Sequence, residues 1–281
     1  MATYSRRSSR RSMVKGTVAG VAGLAGIVGI SGGAYLLTQQ SSASHAAGVT
    51  PQLDSIQTIL NIAATAEEGG VVFYTQALQH AQRLELGERA IQDLRAAQIE
   101  EQLHLSFLLK QGARPLTNVF SFPFGKATFT EFNLFLKTQQ VLEAAHTAAY
   151  MAAVREFAFL NRPDLALIAA QIATVESEHR AIGRAIGGLS PANNQAFTPA
   201  LFQTVGAAAQ ALKQGGFLTP KNGNSFRFQP ANVNFNGVIA RVPTVFPTTP
   251  AMTTPTASAT MTPTTTITTP TPTVKATATK F

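Results

Sequence analysis

The chain has 281 residues, no cysteine, no tryptophan and a formal charge of +8. Without cysteine there are no disulfides, iron–sulfur clusters or thiolate zinc sites, so any metal must be held by carboxylate and imidazole. The charge would suit a polyanion, but it is unevenly placed. Arg6, Arg7, Arg10, Arg11 and Lys15 lie in the first fifteen residues, and Lys221, Arg227, Arg241, Lys275 and Lys280 lie beyond residue 214, with no acid in either stretch. The middle holds twelve basic residues against all fourteen acidic ones, so no nucleic-acid partner is expected.

Residues 1–46 come first. Ser9-Arg10-Arg11-Ser12-Met13-Val14-Lys15 precedes an uncharged, Gly- and Ala-rich run from Gly16 to Ser44. This resembles a twin-arginine export signal, with Ser44-His45-Ala46 as the cleavage context. The alternative is a retained anchor, since Thr17 to Leu37 is long enough to span a bilayer. Either reading places the body outside the cytoplasm: periplasmic, extracellular or on the cell surface.

Residues 51–190 carry apolar positions at three- and four-residue spacing, which predicts four helices. The first is expected from about Leu53 to Gln82, with Ile56, Leu60, Ala63, Glu67, Gly70, Tyr74 and Ala77 in one stripe. The second runs from about Glu88 to Gln111, with Leu94, Gln98, Glu101, His104 and Leu108 in line. The third runs from about Thr130 to Phe159 through Leu136, Gln139, Glu143, His146 and Tyr150. The fourth runs from about Pro163 to Gly187 through Ile168, Ile172, Glu176, His179 and Gly183. Pro163 suits a first helical turn, and Gly187-Gly188 suits a stop. Every inward stripe contains a glutamate, which a bundle core tolerates only if something pairs with it.

Five histidines occur, and three follow a glutamate by three places: Glu101/His104, Glu143/His146 and Glu176/His179. Residues at i and i+3 share a helix face, so each pair can approach one ion. Glu67 precedes Glu101 by 34 positions, and Glu143 precedes Glu176 by 33. The midpoint of the first pair is Leu84, and that of the second falls between Phe159 and Leu160. Both midpoints lie in expected turns, so each antiparallel hairpin sets a lone glutamate opposite a Glu-x-x-His pair. Tyr74 and Tyr150 each follow the lone glutamate by seven residues. The middle therefore reads as a two-fold pseudo-repeat around a metal site. Glu68, Glu100 and Glu178 fall off the stripes and are expected to be surface charge; His45 and His80 are expected to be exposed and unpartnered.

A glutamate from each of two helices and Glu-x-x-His from each of two others is the ligand set of carboxylate-bridged dimetal bundles. On these residues, positions 53 to 188 resemble the ferritin-like superfamily. The run from Ile59-Leu60-Asn61 through Glu67 to Phe73-Tyr74, and the later Gly112-Ala113-Arg114-Pro115, are similar to an exported branch that includes plant desiccation-related proteins. The resemblance implies an all-α, ferritin-like four-helix bundle: two antiparallel hairpins joined by a long crossover, with the second and third helices parallel. It also implies two metal ions, iron ahead of manganese. Glu67, Glu101, His104, Glu143, Glu176 and His179 match the six ligands, and His146 is open as a seventh ligand, a partner of a ligand, or a solvent-facing residue. Tyr74 and Tyr150 are candidates for passing an electron or bonding a ligand, against a plain packing role.

The link from Gln111 to Thr130 is long enough to return along the bundle, with Phe120, Phe122, Phe124 and Phe129 available to pin it. Residues 191–241 are expected to be an irregular extension with one short helix, from Pro199 to Gln214. Residues 242–281 are rich in Thr and Pro and are expected to be extended and disordered.

The leading functional expectation is an oxidoreductase handling Fe(II), dioxygen or peroxide, with an external electron donor because no rubredoxin-like cysteine pair is present. Alternatives are a non-catalytic stress-related or cell-surface protein that keeps the bundle, and a manganese catalase-like enzyme. Wall or membrane association would run through the termini, and oligomerisation is left open.

Overall fold

The structure, a computed structural model, describes residues 52–234 and 237–245. The expected export signal or anchor, and His45 with it, lie outside the described residues, as does the tail from residue 246.

Four long helices carry the fold: α1 (Ile56–Gln79), α2 (Glu88–Lys110), α3 (Phe132–Phe159) and α4 (Pro163–Ile186). Their ends follow from local chemistry. The Ser55 hydroxyl accepts the Thr58 amide at the start of α1. Pro163 occupies the first turn of α4, where its missing N–H costs nothing. Gly112 and Gly188 adopt left-handed backbone just past α2 and α4. There the next amides, of Ala113 and Leu189, donate back to Leu108 and Arg184, closing each helix. The two hairpin turns use non-glycine residues for the same purpose, Glu85 (φ 53°) and Asn161 (φ 55°). Both left-handed pairs, Glu85 with Asn161 and Gly112 with Gly188, are 76 positions apart, as are Glu67 with Glu143 and Tyr74 with Tyr150. The pseudo-repeat thus extends from the ligand pattern to the backbone turns.

Helix direction follows from two hydrogen bonds. Tyr74 of α1 meets Glu143 of α3, while Tyr150 of α3 meets Glu67 of α1. This crossed pairing makes α1 and α3 antiparallel. The short turn makes α1 and α2 antiparallel, so α2 and α3 are parallel. The expected ferritin-like bundle of two hairpins with a lengthwise crossover is the observed one.

The crossover is held by aromatic packing. Phe73 on α1 lies 5.6 Å from Phe122 and 5.7 Å from Phe129, ring centre to ring centre, and stacks on Phe135 at 5.4 Å. Phe120, Phe122 and Phe129 are buried, and Phe124 is half-buried. A two-residue strand in the crossover, β1 (Val119–Phe120), pairs antiparallel with β2 (Phe226–Arg227) from the C-terminal extension. The Asn224 side chain both accepts from the Phe122 amide and donates to its carbonyl. The extension therefore locks the crossover against the bundle.

The fifth helix, α5 (Val205–Gln214), starts later than the expected Pro199. Three acceptors fix that start. The Thr204 hydroxyl accepts from the Ala207 amide, Asp54 from Gly206, and Glu156 from Val205. Amides at a helix start lack intrahelical partners, and two carboxylates there also oppose the helix dipole favourably. Glu156 additionally accepts from the Asp54 amide, tying the beginning of α1, the end of α3 and the beginning of α5 together. No described helix is long and apolar enough to cross a membrane.

Candidate metal centre

Midway along the bundle, Glu67, Glu101, Glu143, Glu176 and His179 are completely buried, and His146 is 1% exposed. His104 is only slightly open. The ligand atoms fall into two overlapping groups. Glu67, Glu101, His104 and Glu176 form one; Glu101, Glu143, Glu176 and His179 form the other. Within each group the atoms lie within 4.8 Å of one another. Glu101 and Glu176, from facing helices α2 and α4, belong to both.

The distances show how tightly the side chains converge. His104 Nδ1 is 3.3 Å from Glu67 Oε2 and 3.2 Å from Glu176 Oε1. His179 Nδ1 is 3.5 Å from Glu101, 3.8 Å from Glu143 and 3.4 Å from Glu176. Nine atoms at this centre are buried without a well-formed hydrogen bond: the Nδ1 atoms of His104, His146 and His179, both oxygens of Glu101 and Glu176, Glu67 Oε2 and Glu143 Oε2. Native proteins leave only a few such groups unsatisfied per hundred residues; here nine lie at one centre.

The orphaned atoms are not randomly oriented, because their sister atoms are fixed. Tyr74 donates to Glu143 Oε1 at 2.5 Å, leaving Oε2 facing the centre. Tyr150 donates to Glu67 Oε1, leaving Oε2 likewise. His179 Nε2 lies 2.9 Å from Glu100 Oε2, so a proton held there leaves the Nδ1 lone pair aimed inward. Gln139 donates to the His179 carbonyl and sits in the space that Gly183 leaves open. Gly70 does the same for Glu101: a Cβ there would stand 2.5 Å from the Glu101 carboxyl carbon.

The electrostatics show what the protein does with this charge on its own. Burial pushes Glu101 well above the usual carboxylate range, reinforced by Glu176 and Glu67. Burial likewise pushes Glu143 up to about 7, although His179 pulls the other way. Burial opposes a charge on Glu176, but His104, His146 and His179 outweigh it and hold that carboxylate well below the usual range. Burial disfavours the imidazolium of His104, yet Glu67 and Glu176 raise it to about 9. Burial also disfavours the imidazolium of His179, yet Glu100, Glu101 and Glu176 overcome it and raise His179 well above the usual imidazole range. Burial and the neighbouring carboxylates push both tyrosines well above their ordinary range, so both phenols keep their protons. In this dry core Glu101 and Glu143 thus hold protons more tightly, and the neighbouring carboxylates draw protons to the histidines. Two divalent cations would balance the same four carboxylates. The donor set, carboxylate oxygen and imidazole nitrogen, fits iron or manganese.

All seven sequence-predicted residues therefore meet at one place. His146 is not solvent-facing; its Nδ1 lies 3.7 Å from Glu176 Oε2, at the edge of the cluster and outside both four-residue groups. Three expectations are corrected. Glu100 is no mere surface charge, since it contacts His179. Glu68 is 7% exposed, and burial pushes it up to about 7. His80 is half-buried, with Nδ1 2.9 Å from the Gln76 carbonyl and its ring stacked over Phe129. Glu178 is exposed, as expected. Sequence reasoning also passed over Glu156, whose burial depends on α5 folding over the end of α3.

No curated protein and no solved structure matches the chain. Residues 55–188 match the family model described as Ferritin-like domain, which begins at the cap of α1 and ends at the glycine stop of α4. Bundle topology and crossover agree with that match, and residues 55–188 of this chain have the fold of a ferritin-like four-helix bundle.

Proposed function

We propose that this chain is an exported protein that binds two metal ions, iron ahead of manganese, and uses them in redox chemistry with dioxygen or peroxide. The observation that carries the reading is the pair of overlapping four-residue groups with Glu101 and Glu176 in common. Glu67, Glu101, His104 and Glu176 would hold one ion, and Glu101, Glu143, Glu176 and His179 the other. Two such ions would supply electrons for an oxidant.

The chain's own residues set the geometry. Tyr150 and Tyr74 each hold one oxygen of Glu67 and Glu143, so each of these glutamates presents a single oxygen inward. That assigns the tyrosines a positioning role. Glu100 holds the ring of His179, and His146 flanks Glu176. All four carboxylates are completely buried, so the bundle keeps bulk water from them. Export rests on Arg10-Arg11 and the apolar run after them. The twin-arginine route carries folded proteins, which would allow metal loading before export.

Metal analysis of the purified chain, paired with dioxygen- and peroxide-consumption assays, tests the reading. Iron with consumption of either oxidant supports it. Manganese with dioxygen release points instead to catalase chemistry, and bound metal without turnover to a structural role.

A further inference from the structure

Beneath the crossover a cavity of about 40 Å³ opens between α1, α3 and α5. Its walls are apolar: Ile62 and Ala66 from α1, Leu116 and Phe120 from the crossover, Leu142 from α3 and Ala209 from α5. Thr65 also borders it, but its hydroxyl is already used. It donates to the Asn61 carbonyl and accepts from the Leu116 amide. Leu116, 66% exposed, stands at the outer end. His146 closes the inner end, and its far side faces Glu176, the carboxylate common to both ligand groups.

Two properties decide what such a space can hold. A cavity needs roughly 10–15 Å³ on this measure to hold one water, so this one has room for a molecule of two or three heavy atoms. A water would also need two to four polar partners, whereas apolar cavities stay dry and take up apolar guests such as xenon.

We propose that this cavity is a binding site for a small non-polar molecule, dioxygen, held one imidazole ring away from the metal centre. What dioxygen does there rests on the dimetal reading above; the binding site itself does not. The cavity would raise the local concentration of an oxidant that partitions into apolar space. Peroxide, which is polar and needs hydrogen bonds, gains nothing from it. His146 is then the partition between antechamber and metal centre.

Xenon is the probe, because its binding is read without metal or turnover. Crystals of the full chain pressurised with xenon should show it between Ala209 and His146. Ala209→Leu, on α5, a helix that carries none of the candidate ligands, should remove the xenon by filling the space; Ile62→Phe fills it from α1 as an independent check. In iron-loaded protein both variants should keep their metal, slow the dioxygen-driven reaction and leave the peroxide-driven reaction unchanged. Ordered water instead of xenon in the parent protein overturns the proposal. So does a variant that excludes xenon yet consumes dioxygen at the parent rate, or one that slows both oxidants equally. Failure to bind metal would sink the dimetal reading, while the xenon result would still decide whether the cavity takes a non-polar guest.

Discussion

Gly70 stands directly against the carboxylate of Glu101, so closely that a Cβ would lie 2.5 Å from the carboxyl carbon and 2.6 Å from an oxygen. Glycine in a helix interior costs about 1 kcal/mol relative to alanine. The sequence keeps it where α1 must let a carboxylate from α2 lie flat beside it.

Gly70→Ala should therefore separate folding from metal binding. The metal-free variant gains helix propensity and loses some carboxylate crowding as Glu101 is pushed aside, so its melting temperature should not fall. Its metal content should drop below that of the parent chain. A variant that binds the parent's complement of metal would show that Glu101 is not a ligand in this position.

Glu100→Ala removes the acceptor beside His179 Nε2 without touching a proposed ligand. Groups that orient a ligating histidine are typically worth 10- to 100-fold in metal affinity. Competition with a chelator should show a loss of about that size at one of the two ions, with the other unchanged. An unchanged affinity at both would make the Glu100 contact incidental.

Much of this centre was legible because α-helical spacing is rigid. Three Glu-x-x-His pairs and two hairpins with glutamates at matching levels leave little freedom in where the side chains meet. Glu100, Glu68 and Glu156 were not legible, for one common reason. Periodicity reports which face of a helix is turned inward, but not what later covers the other faces. Glu156 is buried because α5 docks its amides on it. Gln102, next to Glu101, is buried and accepts the Ala231 amide from the C-terminal extension. Such contacts join residues 49 and 129 positions apart, and no local pattern encodes them. The late start of α5 has the same origin, because two of its three capping acceptors, Asp54 and Glu156, lie far back in the chain.

Glu156→Ala should leave the Asp54 and Val205 amides without their acceptor. A buried donor without a partner costs about 1–3 kcal/mol, so chemical denaturation should show a loss of about 2–6 kcal/mol for the two. The pH dependence has a definite sign. Burial raises the Glu156 carboxyl above its ordinary value of 4.5, against the two backbone amides that pull it down. The folded chain then holds this proton more tightly than the unfolded one. The contribution of Glu156 to stability should fall as pH rises from 4.5 through its folded value. The alanine variant should lose that part of the pH slope; an unaltered slope would show that Glu156 does not titrate in this way.

Replacing Arg10 and Arg11 together by lysine should retain the protein in the cytoplasm, read by fractionation of cells expressing the full chain. Continued export at the parent level would reject the twin-arginine reading and leave the ferritin-like domain untouched.

The central claim is that the Glu/His cluster exists to hold two metal ions, and counting them is the most direct measurement. Elemental mass spectrometry on the purified full chain supplied with iron and manganese should find two ions per chain. The double variant Glu101→Ala/Glu176→Ala, which removes both shared carboxylates, should retain none while keeping its helical circular dichroism. A parent chain without stoichiometric metal, or a folded double variant that still holds two ions, would contradict the account.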